Sequence, residues 1–201
     1  MFTLECKQYE GERFSDLDLS DQELDGFSFE NCSFKGARMS ALITRSCTFA
    51  GCDFSMAQMG GSSHTHTAFV NCRFSSTNLF SAAFADCKCI GSTFAGATVT
   101  GFSIHGGNYS YVVFAECNLS GQDLSGLNLE YADLRSCRLE KANLRDANLK
   151  HAMLQGAKLK GCDLRGASIH GVDFKNLLFW ETKIDLEQAI LIAEGIGCIV
   201  G

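Results

Sequence analysis

The side chains here with the strongest claim to chemistry are eleven cysteines, five histidines and a run of carboxylates near the start. Cysteine and histidine hold zinc when they recur as Cys-x-x-Cys or closely spaced Cys/His pairs, and paired cysteines staple small folds. Neither spacing occurs. His64 and His66 flank one threonine, and their setting, Met56 to Thr67, is rich in Gly and Ser and suits a loop better than a metal site. There is no phosphate-binding glycine loop, no nucleophile elbow and no His-Glu-x-x-His. Gly195 and Gly197 follow an expected helix rather than a strand, so they are no dinucleotide fingerprint. The sequence predicts no catalytic residue, no metal and no cofactor. It does predict an acidic end. Residues 1–31 hold Glu5, Glu10, Glu12, Asp16, Asp18, Asp21, Glu23, Asp25 and Glu30 against Lys7 and Arg13.

The positions of the cysteines follow from a stricter pattern. A large apolar or aromatic residue stands at every fifth position from Phe14 to Ile184, with Thr44, His64 and Cys89 as the exceptions. Two places before most of these lies a small residue. It is often alanine (Ala37, Ala57, Ala82, Ala132, Ala142, Ala147) and often cysteine (Cys32, Cys47, Cys52, Cys72, Cys87, Cys117, Cys137, Cys162). Cysteine sharing a track with alanine reads as a small buried hydrophobe. A five-residue period fits neither a helix at 3.6 nor a strand at 2. One large and one small inward group per five residues suit a narrow coil with short sides and tight corners. Four such sides close a square turn, so that residue i lies under residue i+20. Cys32, Cys52 and Cys72 then form one column, and Cys117 and Cys137 another. The fold class is an all-β solenoid with a filled interior, and function is left to the outer surface.

Ala132-Asp133-Leu134-Arg135-Ser136, Ala142-Asn143-Leu144-Arg145-Asp146 and Ala147-Asn148-Leu149-Lys150-His151 resemble the repeat of the pentapeptide-repeat proteins. That resemblance implies a right-handed quadrilateral β-helix over residues 1–184, with 1–13 as an N-terminal cap in which Phe2, Leu4 and Tyr9 cover the open end. Residues 185–201 are read as a C-terminal helix and tail. Asp185 and Gln188 form a capping box, and Gly195 stops the helix in the left-handed conformation. Leu186, Ala189, Ile190 and Ala193 share one apolar face, expected to cover the last coil and, with Ile196 and Ile199 of the tail, to form a dimer interface. Two stretches, Met56–Thr67 and Thr98–Tyr111, are weak in the pattern. The second is read as regular coil. The first is left open between coil and loop; as a loop, Gly60, Gly61, His64 and His66 would contact a partner.

The chain has 201 residues, no proline and a net charge of −6. No apolar run approaches the ~20 residues that span a bilayer, and the N-terminus lacks a signal-peptide pattern, so the expected setting is cytoplasmic. Residues 131–183 lean basic, with ten Lys or Arg against six Asp or Glu; Glu130 and Lys150, and Glu140 and Lys160, are placed to pair across coils. Residues Tyr9–Phe14 and Phe29–Phe34 and the tail Gly195–Gly201 resemble a narrower subgroup of the family, which includes the Qnr quinolone-resistance proteins, MfpA, AlbG and McbG. That resemblance implies a homodimeric DNA mimic that binds DNA gyrase or a related type II topoisomerase and binds neither nucleic acid nor membrane. Asp16, Asp18, Asp21, Glu23, Asp25 and Glu30 would stand in for phosphates. A scaffold for some other protein partner is the alternative. Unlike the Qnr proteins, this chain has no break in register.

Overall fold

The computed structural model describes residue 4, residues 6–15 and residues 17–201. Phe2, expected in the N-terminal cap, and Asp16, a candidate acidic contact, lie outside the described residues. The chain divides into two compact units, residues 1–108 and 109–201.

In the first unit the twenty-residue turn is written in the backbone. Strands β1 (Gln8–Glu10), β3 (Ser28–Glu30), β5 (Thr48–Ala50) and β7 (Ala68–Val70) form one parallel sheet. Strands β2 (Glu23–Asp25), β4 (Ile43–Arg45), β6 (Ser63–Thr65), β8 (Ala83–Ala85) and β9 (Ser103–His105) form a second. Each residue pairs with the one twenty places on, as Tyr9 with Phe29 and Leu24 with Thr44. Two further sides are single-residue ladders, Arg13–Ser33–Asp53–Arg73–Thr93 and Asp18–Arg38–Gln58–Asn78–Thr98. The second unit has the same four sides, carried by bridges such as Val113–Asp133, Arg138–Lys158, Asp123–Asn143 and Asn128–Asn148.

The interior explains the period. Phe14, Phe34, Phe54, Phe74 and Phe94 stack face to face in one column, with centroids 4.9, 5.0, 5.0 and 4.6 Å apart. Tyr9, Phe29, Phe49 and Phe69 form a second column, edge-on to the first. These intervals match the spacing of paired strands, so a ring in every coil meets a ring above and below. In the second unit Leu119 to Leu164 fill the same positions and are buried. Tyr9 is therefore the first member of a core column rather than a lid laid over it, because β1 already pairs with β3.

The small track does more than save space. The thiols of Cys47, Cys52, Cys72, Cys87 and Cys137 donate to the carbonyls of Leu24, Phe29, Phe49, His64 and Phe114, each twenty-three residues earlier. The hydroxyls of Thr77 and Ser92 do the same to Phe54 and Phe69. Cysteine here is a small group with a donor, which adds a second hydrogen bond to carbonyls such as that of Phe114, already bound by the Cys117 amide. Burial pushes the thiols of Cys87, Cys137 and Cys162 up to about 12 and that of Cys117 up to about 11.

Met56–Thr67 is not a loop. Gln58 bridges Arg38 and Asn78, and β6 pairs with β4 and β8 in unbroken register. Ser103–His105 likewise pairs with β8, so the coil runs on from Thr98 to Asn108. Gly60 and Gly61 occupy a corner, and Gly61, with φ 68°, stands where the left-handed conformation is required.

Helix α1 (Leu186–Gly195) closes the second unit, and the capping box is present. Asp185 Oδ1 accepts from the Gln188 amide at 3.0 Å, and the Asp185 amide donates to Gln188 Oε1 at 3.1 Å. Two expectations are corrected. The left-handed residue is Gly197 (φ 98°), not Gly195; Gly197 and Cys198 donate to the carbonyls of Glu194 and Ala193 in a Schellman closure. The helix also turns a different face inward. Gln188 is buried, with Nε2 donating to the carbonyls of Leu164 and Ala167, while Leu186 is 80% and Ile190 38% exposed. The last coil ends in open carbonyls, and a donor satisfies them where an apolar face would not. Nor do the predicted cross-coil ion pairs form among the described residues. Glu140 takes Arg138 at 3.6 Å and the Ser120 hydroxyl at 2.9 Å, and Glu130 accepts from Asn148 at 3.4 Å.

Candidate functional surfaces

The residues predicted from sequence separate into three groups. The carboxylates lie on the first turns but on different sides of the coil, Glu10 and Glu30 on one sheet, Glu23 and Asp25 on the other and Asp18 on a single-residue ladder. Asp18, Asp21, Glu23, Asp25 and Glu30 are all exposed, on or next to the first turn of the solenoid, with Glu10 and Glu12 beside them. Two are partly neutralised: Asp18 pairs with Arg38 at 3.0 Å and Glu23 with Arg45 at 2.7 Å. Hydrogen bonds from Ser20, backed by the Arg38 charge, hold the Asp18 carboxyl below its ordinary value. Asp21, Asp25 and Glu30 form no ion pair among the described residues. The acidity does not extend along a face. Outward positions of the β2–β4–β6–β8–β9 sheet run from Glu23 and Asp25 to Ile43 and Arg45, then Ser63 and Thr65, Ala83 and Ala85, Ser103 and His105. In the second unit Asp133 and Asp163 are each clamped by the arginine two residues on, with contacts of 2.6 Å.

Gly60, Gly61, His64 and His66 are not brought together. Gly61 and His66 are exposed at corners, whereas His64 is buried in the core. Its ring lies edge-on to Phe69 and Phe84. Nδ1 is 2.7 Å from Thr44 Oγ1 and Nε2 is 2.9 Å from Ser62 Oγ; Thr44 Oγ1 lies 2.8 Å from Thr67 Oγ1, which donates to the Thr65 carbonyl. One arrangement satisfies every group: Thr67 donates to Thr65, Thr44 to Thr67, His64 Nδ1–H to Thr44, and Ser62 to Nε2. The imidazole is thus neutral and fully bonded, and burial depresses its pKa to about 3. A histidine in this state neither contacts a partner nor has a lone pair left for a metal.

The candidate dimer residues form an open apolar surface. Leu186 and Ile190 face outward, and Ile196 and Ile199 are 52% and 98% exposed; Ala189 and Ala193 are half-buried. Sequence reasoning missed Leu178 and Trp180, which are 79% and 67% exposed. Their signal was present, for both flank Phe179 at places held by polar groups in most other pentads. It also missed an exposed stack of Tyr111, Tyr131 and His151, with centroids 5.0 and 4.8 Å apart. No group of three or more metal-ligating side chains occurs among the described residues, and no helix among them is long and apolar enough to cross a membrane.

Residues 112–188 match the family model of a pentapeptide repeat region. No curated protein sequence matches the chain. Among solved structures, a trypsin-treated variant of QnrB1, a plasmid-mediated fluoroquinolone resistance protein, superposes with a TM-score of 0.67 at 22% identity, covering 96% of this chain and 97% of that one. Full-length QnrB1 gives 0.61 at 21% identity, covering 94% and 97%. HetL, a pentapeptide repeat protein involved in heterocyst differentiation regulation from the cyanobacterium Nostoc sp. strain PCC 7120, gives 0.47 at 18% identity, covering 88% and 84%. Residues 112–188 thus carry a pentapeptide repeat region, and the chain has a fold similar to that of QnrB1.

Proposed function

We propose that this is a cytoplasmic, non-enzymatic binding protein that docks on a type II topoisomerase, DNA gyrase first, as a mimic of DNA. The observation that carries the reading is the placement of Glu10, Asp18, Asp21, Glu23, Asp25 and Glu30 on the first turns of a rigid coil. An enzyme surface evolved to hold phosphates attracts such carboxylates by the same field. The likeness to a fluoroquinolone resistance protein over almost the whole of both chains supports the same reading. In this proposal two copies join through the outer face of α1 and the tail, which removes Leu186, Ile190, Ile196 and Ile199 from water. Docking modulates the enzyme or protects it from poisons such as quinolones or peptide toxins.

The test is a gyrase supercoiling assay with increasing protein, with and without a fluoroquinolone. Recovery of supercoiling at low protein and inhibition at high protein are expected. No effect in either arm rejects the proposal. A second reading, a scaffold for a different protein, is favoured by the neutral outward residues beyond the first turn, Ser63, Thr65, Ala83, Ala85 and Ser103. It predicts that reversing Asp21, Asp25 and Glu30 to lysine leaves any effect on gyrase unchanged.

A further inference from the structure

A different face of the second unit carries a surface of opposite character. Arg138 and Lys158 are bridge partners on adjacent turns, and Lys160 lies two residues from Lys158 on the same side. One turn further, Leu178 and Trp180 project outward from either side of Phe179; the Trp180 carbonyl accepts from the Gly161 amide at 2.9 Å, which fixes that rung beneath Lys160. The Lys160 ammonium lies 5.8 Å from the centre of the Trp180 ring. Glu140, one turn before Lys160, is held by Ser120 and Arg138, and the charge of Lys158 also acts on it. Lys158 and Lys160 form no ion pair among the described residues.

Two ammonium groups outside any ion pair among the described residues thus stand one rung from two large, mostly exposed apolar side chains. Water penalises that apolar pair, and among the described residues no other coil position places two such groups on either side of one core residue. We propose that this face docks an extended acidic segment of a partner protein, one that interleaves carboxylates with bulky apolar side chains. The carboxylates would meet Lys158 and Lys160, and the apolar groups Leu178 and Trp180. Charge complementarity selects an acidic ligand, and the exposed leucine beside the indole selects one with apolar side chains over a bare polyanion. An extended chain suits this side, because Lys158 and Lys160 stand outward on either side of the buried Leu159 and the Trp180 rung lies one turn on. The proposal does not depend on the topoisomerase reading.

Trp180 is the only tryptophan in the chain, so its fluorescence reports on this face alone. The experiment titrates the full-length protein with a synthetic peptide of Glu-Ser-Leu-Ser repeats, which sets Glu and Leu on one face of an extended chain (the Glu–Leu peptide), with a polyglutamate peptide and with oligodeoxythymidine, following indole emission. Saturable binding is expected for the Glu–Leu peptide, at least tenfold tighter than for polyglutamate. K158E/K160E should weaken it by tenfold or more. L178A should weaken the Glu–Leu peptide while leaving polyglutamate unchanged. Circular dichroism confirms the fold of both surface variants. Failure of the Glu–Leu peptide to bind overturns the proposal. Equal or tighter binding of oligodeoxythymidine also overturns it and makes the face a nucleic-acid contact.

Discussion

Acid should loosen the first unit well before its carboxylates titrate, and His64 is the reason. Its folded pKa of about 3 lies below the ordinary 6.5, so between those values the unfolded chain holds a proton that the folded chain excludes. Stability from this residue is complete above pH 6.5 and falls by about 1.4 kcal/mol for each pH unit below it. At about pH 5 the loss is roughly 2 kcal/mol, and it approaches roughly 5 kcal/mol near the folded pKa. The carboxyls of Asp18, Asp133 and Asp163 have pKa values below 3.8, so their contributions persist until lower pH. Urea unfolding followed by circular dichroism, at pH 7.5 and about pH 5, measures the effect in the wild type and in His64→Phe. Phenylalanine fits between Phe69 and Phe84 but leaves the Ser62 hydroxyl without its acceptor, so the variant should be weaker at pH 7.5 by about 1–2 kcal/mol. The decisive quantity is the difference between the two pH values. It should be about 2 kcal/mol larger in the wild type. An equal pH dependence in both proteins would refute the neutral, fully bonded network.

Gln188→Leu removes the donor to the carbonyls of Leu164 and Ala167 and should cost about 1–3 kcal/mol despite its greater hydrophobicity, as read from thermal melting. Leu144→Lys places an unpaired charge in the filled interior and should cost more than about 4 kcal/mol, with hydrogen exchange rising first in the turns on either side; unchanged melting would contradict the square coil. Ile190→Glu charges the outer face of α1 and should give monomers in light scattering if that face joins two copies. A persistent dimer would place the interface elsewhere.

The coil was legible because its rule is local and repeats. Most pentads present one large and one small residue, and the structure changes only the meaning of the small one, since an alanine-like cysteine also carries a donor. What sequence reasoning left open has the same physical origin throughout. His64 resembles a loop residue because its partners, Thr44, Ser62 and Thr67, are polar one by one and become a closed set only when stacked. The helix face was misjudged because apolar periodicity records which residues shelter from water somewhere, not which neighbour shelters them. Here the open carbonyls of the last coil took Gln188 and left Leu186 and Ile190 outside. The acidic cluster was visible as composition. Its place at one end was legible too; the neutral outward positions on the turns that follow, Ser63, Thr65, Ala83 and Ala85, needed the register.

The twenty-residue register turns the outer surface of each unit into a grid. One coordinate is the residue number modulo twenty, which selects a column, and the other is the turn, which selects a row about 4.8 Å further on. Deleting twenty residues within a unit removes a row and leaves all columns intact. Deleting five leaves the core motif whole but moves everything downstream round by one side, so that Arg138 and Lys158 would change faces while Leu139 and Leu159 kept their place in the interior. In such a molecule, small changes of length edit the surface as an address system, and the hydrophobic core has no means of registering that the address has changed.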